Sequence, residues 1–178
     1  MHQDEPVCEI KLKVPGIHNV SNSLAAIVAG SIMGCSMASA AKALQKFTGT
    51  NRRFELKGKI EGIKVMDDYA HHPTEVAATL KAAANCHYSR LWCVFQPHTY
   101  TRTKCLLDEF SKSFGDANFV ILSDIYAARE VDSGEVNSSI LAERILGTGK
   151  KAFYIKGFDS IVEFLDKNAE PGDLIITM

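Results

Sequence analysis

Three times between Ile63 and Leu146 the chain runs a short apolar stretch into a polar turn and then into an amphipathic segment. The apolar stretches are Ile63–Met66, Leu91–Phe95 and Phe119–Leu122; the amphipathic segments are Pro73–Ala84, Thr103–Phe114 and Ser138–Leu146. Strands that are apolar throughout are stable only inside a sheet covered on both sides, and the intervening helices supply that cover. Two more apolar runs, Ala152–Ile155 and Leu174–Thr177, flank a helical segment at Asp159–Asn168. This alternation predicts an α/β fold with a mostly parallel, Rossmann-like sheet and helices on both faces. Ahead of it, Phe54–Lys59 and Ile63–Met66 alternate around Glu61-Gly62, which predicts a β-hairpin.

Upstream the character changes. Val7–Val14 alternates and predicts a strand ended by Pro15-Gly16. Asn19–Gly34, capped by Asn19 or Ser21, and Ser36–Phe47 predict two helices that are apolar on several faces. A domain boundary is therefore expected near Thr50-Asn51, dividing a helical piece, 1–50, from a complete α/β unit, 51–178. The helices within 19–47 carry more apolar surface than two helices can bury. They are expected to pair with another copy of the chain or to fold back.

Composition narrows the function. Hydrophobic residues at 46% suffice for a core without metals or disulfides, and a net charge of −1 favours neither nucleic acid nor a membrane surface as partner. Cys8, Cys35, Cys86, Cys93 and Cys105 form no Cys-x-x-Cys pair, which fits reduced thiols in the cytoplasm. The start, Met1–Pro6, has no apolar run behind a basic segment and so no secretory signal, and Leu24–Met37 is too short and mixed to span a bilayer.

In open α/β sheets, ligands bind beyond the carboxyl ends of the strands. The residues following three of the predicted strands are Asp67–Glu75, Gln96–Arg102 and Ser123–Glu130, all rich in His, Tyr, Arg and Asp. Pro73 suits a first helical turn, so His72 falls near an N-cap where free N–H groups favour an anion. Asp68 stands where a ribose hydroxyl or a metal-bound water could be held, or where a turn needs a cap. Arg102 suits two-pronged contact with a carboxylate, or an exposed ion pair. His71 and His72 are adjacent and have no carboxylate at helical ligand spacing, so no metal site is assigned. No Gly-x-x-x-x-Gly-Lys-Ser/Thr and no Gly-x-Gly-x-x-Gly occurs, so this chain does not hold a nucleotide alone in the usual way.

Asp68-Tyr69-Ala70-His71-His72-Pro73-Thr74-Glu75 resembles a signature of the Mur ligase family, in the branch that joins L-alanine to UDP-N-acetylmuramate. Phe95–Thr103, Gly16–Asn22, Arg52–Glu55, Asp124–Glu130 and Pro171–Leu174 resemble further stretches of that branch in the same order, so the resemblance covers nearly the whole chain. It implies that 51–178 is the C-terminal domain and 1–50 the remnant of a central ATP-binding domain. It implies ATP and Mg2+ in the full-length enzyme and none bound to this piece. L-alanine and UDP-N-acetylmuramate are the further substrates, and the pathway is peptidoglycan precursor synthesis. By position, His18, Asn19, Asn22, Arg53 and Asp68 match residues on the nucleotide side; Tyr69, His71 and Arg102 match residues near the incoming amino acid. Asp68 and His71 are the implied catalytic pair. Thr99 departs from the pattern, since many relatives have Arg there. The phosphate loop, the Mg ligands and the N-terminal UDP-binding domain of such ligases are missing from this sequence, and relatives continue past Met178. The piece is therefore expected to be inactive alone. A muropeptide-recycling ligase shares His-His-Pro, although Tyr69 and Glu75 favour the L-alanine branch. Outside the family, a non-catalytic ligand-binding α/β module and a metal hydrolase using His71, His72 and His98 stay open.

Overall fold

The computed structural model describes residues 6–178; the first five positions of the 1–50 segment, and most of the stretch read as lacking a secretory signal, lie outside the described residues. Two compact units divide at Asn51/Arg52.

The first unit contains α1 (Ile17–Ile32) and α2 (Met37–Leu44). The strand expected at Val7–Val14 does not form. Alternation alone cannot satisfy a strand's backbone, and none of the strands of the sheet pairs with this stretch. Helix α1 also starts earlier than expected. Its N-cap is Gly16 at φ 99°, not Asn19 or Ser21, and no side chain caps it. Asn19 instead donates its Nδ2–H to Pro15 O at 2.6 Å, tying the entering turn to the helix. Only Ser23 and Ile27 of α1 are buried, while Ile17, Val20, Leu24, Val28 and Ile32 stay exposed.

The second unit is built on one six-stranded sheet in the order β1-β2-β6-β3-β4-β5. Strands β1 (Glu55–Ile60) and β2 (Ile63–Asp67) form the predicted hairpin. Glu61 and Gly62 turn it with φ of 47° and 87°, the left-handed pair that a tight hairpin requires. The remaining neighbours, β2 with β6 (Leu174–Thr177), β6 with β3 (Leu91–Phe95), β3 with β4 (Phe119–Leu122) and β4 with β5 (Lys151–Tyr154), are all parallel.

Side-chain alternation splits the core between the two faces. Leu91, Cys93, Phe95, Val120, Leu122, Leu174 and Ile176 point to one side. There they meet α3 (Pro73–Ala83), α5 (Leu107–Ser113) and α6 (Ser138–Leu146) through Val76, Leu80, Phe110 and Leu141. Trp92, Val94, Ile121 and Ile175 point to the other, where α7 (Phe158–Asn168) covers them with Ile161, Phe164 and Leu165. The strand order explains the division. The steps β2→β3→β4→β5 all advance in one direction, whereas β5→α7→β6 returns across the sheet. Right-handed crossovers of opposite direction place their helices on opposite faces.

One expected helix is broken. Thr103–Phe114 is instead two short helices, α4 (Tyr100–Cys105) and α5, meeting at Leu106 with φ −111° and ψ 23°. Helix α4 buries only Thr103, whereas α5 buries Phe110, and Phe95 packs against Phe110 and Phe114 at centroid distances of 5.4 and 5.5 Å. The change of axis lets α5 drive its rings into the core while α4 keeps its polar residues at the sheet edge.

Candidate active site

The loops that follow β2, β3 and β4 meet at the carboxyl edge of the sheet. Tyr126 N donates to Pro97 O at 2.8 Å and Thr99 N to Tyr126 O at 2.9 Å, binding the β3 and β4 loops side by side. The end of β6 lies between the other two: Asp68 N donates to Thr177 O at 2.9 Å and Gln96 N to Met178 O at 2.8 Å.

Asp68 is buried and its carboxylate is fully engaged by the protein. Oδ2 accepts from Phe54 N at 2.8 Å; Oδ1 accepts from Ala70 N at 2.8 Å and from the Thr79 hydroxyl at 3.2 Å. This is the turn-capping arrangement. It fixes the loop carrying Tyr69 and His71 against the chain entering β1. Asp67 is tied similarly, accepting from Arg52 Nε at 3.0 Å and the Thr177 hydroxyl at 2.9 Å.

The N-terminus of α3 is locked by a combination legible in Pro73 and Glu75. His72 caps it, accepting from Thr74 N at 3.3 Å through Nδ1. Glu75, three residues beyond the cap, reaches back to accept from His71 N at 3.0 Å. Burial alone raises the Glu75 carboxyl, but the His71 N–H, the nearby charges of His71 and Arg53, and the His72 N–H outweigh it and hold it below the ordinary glutamate value.

Around this anchored edge the polar rings form a continuous row. The guanidiniums of Arg52 and Arg53 stand over the Tyr69 ring, 5.0 and 5.7 Å from its centroid. Tyr69 meets His71 edge-on at 5.3 Å, His71 lies 6.3 Å from His98, and His98 lies 5.4 Å from Tyr126. Arg102 Nη1 donates to His98 Nδ1 at 3.3 Å. Tyr69, His71, Arg102 and Arg53 are thus brought together, with Asp68 beneath them. His98 and Tyr126 join them; the chain by itself offers His98 only to the metal-hydrolase alternative and Tyr126 no role, and a strand-end histidine four positions from Arg102 was the available signal. His18, Asn19 and Asn22 lie on the first turns of α1 in the other unit, where Asn22 Nδ2–H donates to Asn19 Oδ1 at 3.5 Å.

The edge is also where backbone strain collects. Arg52, Phe54, Thr99 and Ala128 all have positive φ, at 56°, 51°, 66° and 54°. For β-branched Thr99 this costs about 1–3 kcal/mol. It persists because Thr99 caps α4, with Oγ1 accepting from Arg102 N at 3.4 Å and its carbonyl accepting from the Thr103 hydroxyl at 2.7 Å. Among the described residues no group of three or more His, Cys, Asp or Glu side chains is arranged to hold a metal ion. No helix among them is long and apolar enough to cross a membrane.

Comparison with known proteins decides the family. Residues 52–178 match the model of the Mur ligase glutamate ligase domain. This chain belongs to the Mur ligase family. Over all 178 residues it is 60% identical to the UDP-N-acetylmuramate–L-alanine ligase of Acetivibrio thermocellus, of which it spans 38%. Among solved structures, the UDP-N-acetylmuramate–alanine ligase of Thermotoga maritima superposes with a TM-score of 0.79 at 28% identity, over 98% of this chain and 37% of that one. A murein peptide ligase from Psychrobacter arcticus superposes with a TM-score of 0.69 at 29% identity, over 98% and 37%. The chain therefore spans well under half the length of the relatives it matches.

Proposed function

We propose that this chain is the part of an ATP-dependent ligase that receives the amino acid when L-alanine is joined to UDP-N-acetylmuramate. The observation that carries the reading is the row Arg53–Tyr69–His71–His98–Arg102 at the carboxyl edge of a Mur ligase sheet. Its support from relatives is the 60% identity along the whole chain to a protein of that name. In this reaction the muramate carboxylate takes a phosphoryl group from ATP and becomes an acyl phosphate. The amine of L-alanine then attacks the carbonyl carbon, the carbon–oxygen bond to phosphate breaks, and phosphate leaves with the electron pair.

Arg102 binds the carboxylate of the amino acid, and His71 and Tyr69 flank its amine. Arg53, exposed and free of ion pairs among the described residues, meets the nucleotide phosphates. Asp68 acts as a positioning residue, since its oxygens are spent on Phe54, Ala70 and Thr79. His18, Asn19 and Asn22, on α1, are further nucleotide-side residues of the full-length enzyme, and the unit that carries them is the end of a central ATP-binding domain. Among the described residues no cluster of His, Cys, Asp or Glu is arranged to hold Mg2+. Most of the acceleration comes from positioning and charge stabilisation, with little covalent chemistry falling to the protein.

The test is phosphate release by this segment joined to the N-terminal and central domains of such a ligase, with ATP, UDP-N-acetylmuramate and L-alanine. Activity that depends on all three, with kcat/KM for L-alanine about 10- to 100-fold lower in Arg102→Ala, is the expected result. A folded but silent enzyme that accepts a murein peptide instead would replace L-alanine by the substrate class named for the Psychrobacter arcticus structure. The 178-residue chain alone is expected to release no phosphate, having no phosphate-binding loop.

A further inference from the structure

Helix α4 has little of its own to hold it in place. It has six residues, too few to be stable as a helix in water, and Thr103 is its one buried side chain. The N–H groups of its first turn have no partners inside the helix. Thr99 reaches one of them, Arg102 N, at 3.4 Å, from a backbone strained at φ 66°. The firmer hold comes from the loop after β4. Glu130 Oε2 accepts from Thr101 N at 2.8 Å, across 29 positions of chain. An ionised carboxylate at the positive end of a helix makes a short, strong hydrogen bond. The Thr101 N–H holds the Glu130 carboxyl below the ordinary glutamate value against a smaller opposing effect of burial, helped by the hydroxyls of Thr101 and Thr99 and by the Tyr100 N–H.

The loop that delivers Glu130 is itself fixed. Tyr126 N donates to Pro97 O and Tyr126 O accepts from Thr99 N. Glu130 N donates to Ala127 O at 2.9 Å, closing a turn that carries Ala128 at φ 54°. Further on, Glu135 pairs with Lys104 in the last turn of α4. The stretch from Tyr126 to Glu135 therefore grips α4 at both ends. Among the described residues no ion pair includes Glu130 or Arg102. The Glu130 carboxylate is taken by backbone N–H, so Arg102, next in sequence to Thr101, keeps its guanidinium for His98 Nδ1 at 3.3 Å and for a ligand.

We propose that Glu130 is a positioning residue of the ligase: it holds the first turn of α4 and thereby sets where the Arg102 guanidinium stands. The inference rests on the reading of Arg102 as the residue that binds the carboxylate of the amino acid, and adds a residue that acts through it.

In this chain, hydrogen exchange at the Thr101 amide should quicken about tenfold or more in Glu130→Ala, with the core amide of Val94 unchanged. Unchanged exchange at Thr101 overturns the proposal whatever the enzyme does. The second arm uses the joined ligase. KM for L-alanine should rise about tenfold in Glu130→Ala and about threefold in Glu130→Gln, which keeps an uncharged acceptor, with KM for ATP unchanged. The double variant decides between acting through Arg102 and acting beside it. Where Arg102 is already alanine, Glu130→Ala should raise KM for L-alanine by less than about twofold. Full additivity, or a matching rise in KM for ATP, overturns the positioning role and leaves the ligase reading standing. Glu130→Gln carries both arms if Glu130→Ala does not fold. An Arg102→Ala ligase with unchanged KM for the amino acid removes the reading on which the proposal rests. A ligase that prefers another amino acid, yet shows this coupling with it, removes L-alanine and keeps the role of Glu130.

Discussion

Two arginines lie beyond opposite ends of β3, and they are held very differently. Arg90 precedes the strand. Its guanidinium makes a two-pronged contact with the buried Asp173, Nε to Oδ1 at 3.0 Å and Nη2 to Oδ2 at 2.7 Å, and donates to Asn168 O at 3.0 Å. Asp173 also accepts from the Trp92 indole at 2.9 Å and from Glu170 N at 3.0 Å, while Trp92 stacks on Phe119 at 4.0 Å. Arg102 follows the strand. Its side chain touches a histidine nitrogen and makes no ion pair among the described residues. Arg90 spends its charge on the fold, whereas Arg102 stands without an ion pair among the described residues, beside strained backbone at Thr99. A charge already neutralised by the fold has little left for a ligand, which supports the carboxyl edge as the proposed binding end.

The largest test of this contrast is Asp173→Ala. It leaves Arg90 and the Trp92 indole without their shared acceptor and should cost about 3–5 kcal/mol in denaturant unfolding. A loss within about 1 kcal/mol would mean that the amino end is no lock. The same pair predicts a pH dependence. Burial alone raises the Asp173 carboxyl, but the Arg90 hydrogen bonds, the Glu170 N–H and the Trp92 indole outweigh it and hold it below the ordinary aspartate value. A depressed native value stabilises fully above the unfolded aspartate pKa of about 3.9, and that stabilisation is lost as pH falls through the native value. Urea titrations at neutral pH and near pH 3 should therefore differ less in Asp173→Asn than in the parent.

Asp68→Ala is expected to cost about 2–3 kcal/mol, because it strips an acceptor from buried donors at Ala70 and Thr79 and from Phe54 N. Hydrogen exchange at the Phe54 and Ala70 amides should quicken, and unchanged protection there would break the positioning role. Ala128→Gly should stabilise by about 0.5–1 kcal/mol, since the residue sits at φ 54°. A lower melting temperature would show that strain is not stored in that loop. Arg102→Ala should change stability least, by about 0.5 kcal/mol or less, against the large loss expected at the other end. A loss as great as that of Asp173→Ala would abolish the distinction between the two ends.

Strands β3, β4 and β6 and helix α6 were legible to the residue because an apolar run bounded by polar turns, or a helix with one apolar stripe and an Asn cap, has few other stable outcomes. Val7–Val14 showed an equally clear alternation and no strand, because a strand also needs a neighbour. The break at Leu106 was invisible, since α4 and α5 read continuously as one amphipathic segment and only the packing of Phe110 and Phe114 demands two axes. At the site, the clustering of the three loops could be read from the chain, because parallel strands deliver their following residues to one edge.

By itself the sequence determined the order and type of the elements in the α/β unit, apart from the break at Leu106, which strand-end loops share an edge, and, through its motifs, the family. Those features are local: periodicity and turn chemistry act over a few neighbouring residues. Only the tertiary structure decided which groups spend their charges on one another. Arg90 and Asp173 stand 83 positions apart and are paired, Phe54 and Asp68 stand 14 apart and are tied, and His71 and His98 come from different loops with ring centroids 6.3 Å apart. No local pattern encodes such pairings, because they arise from the packing of both sheet faces, which sets every hydrogen-bond partner at once.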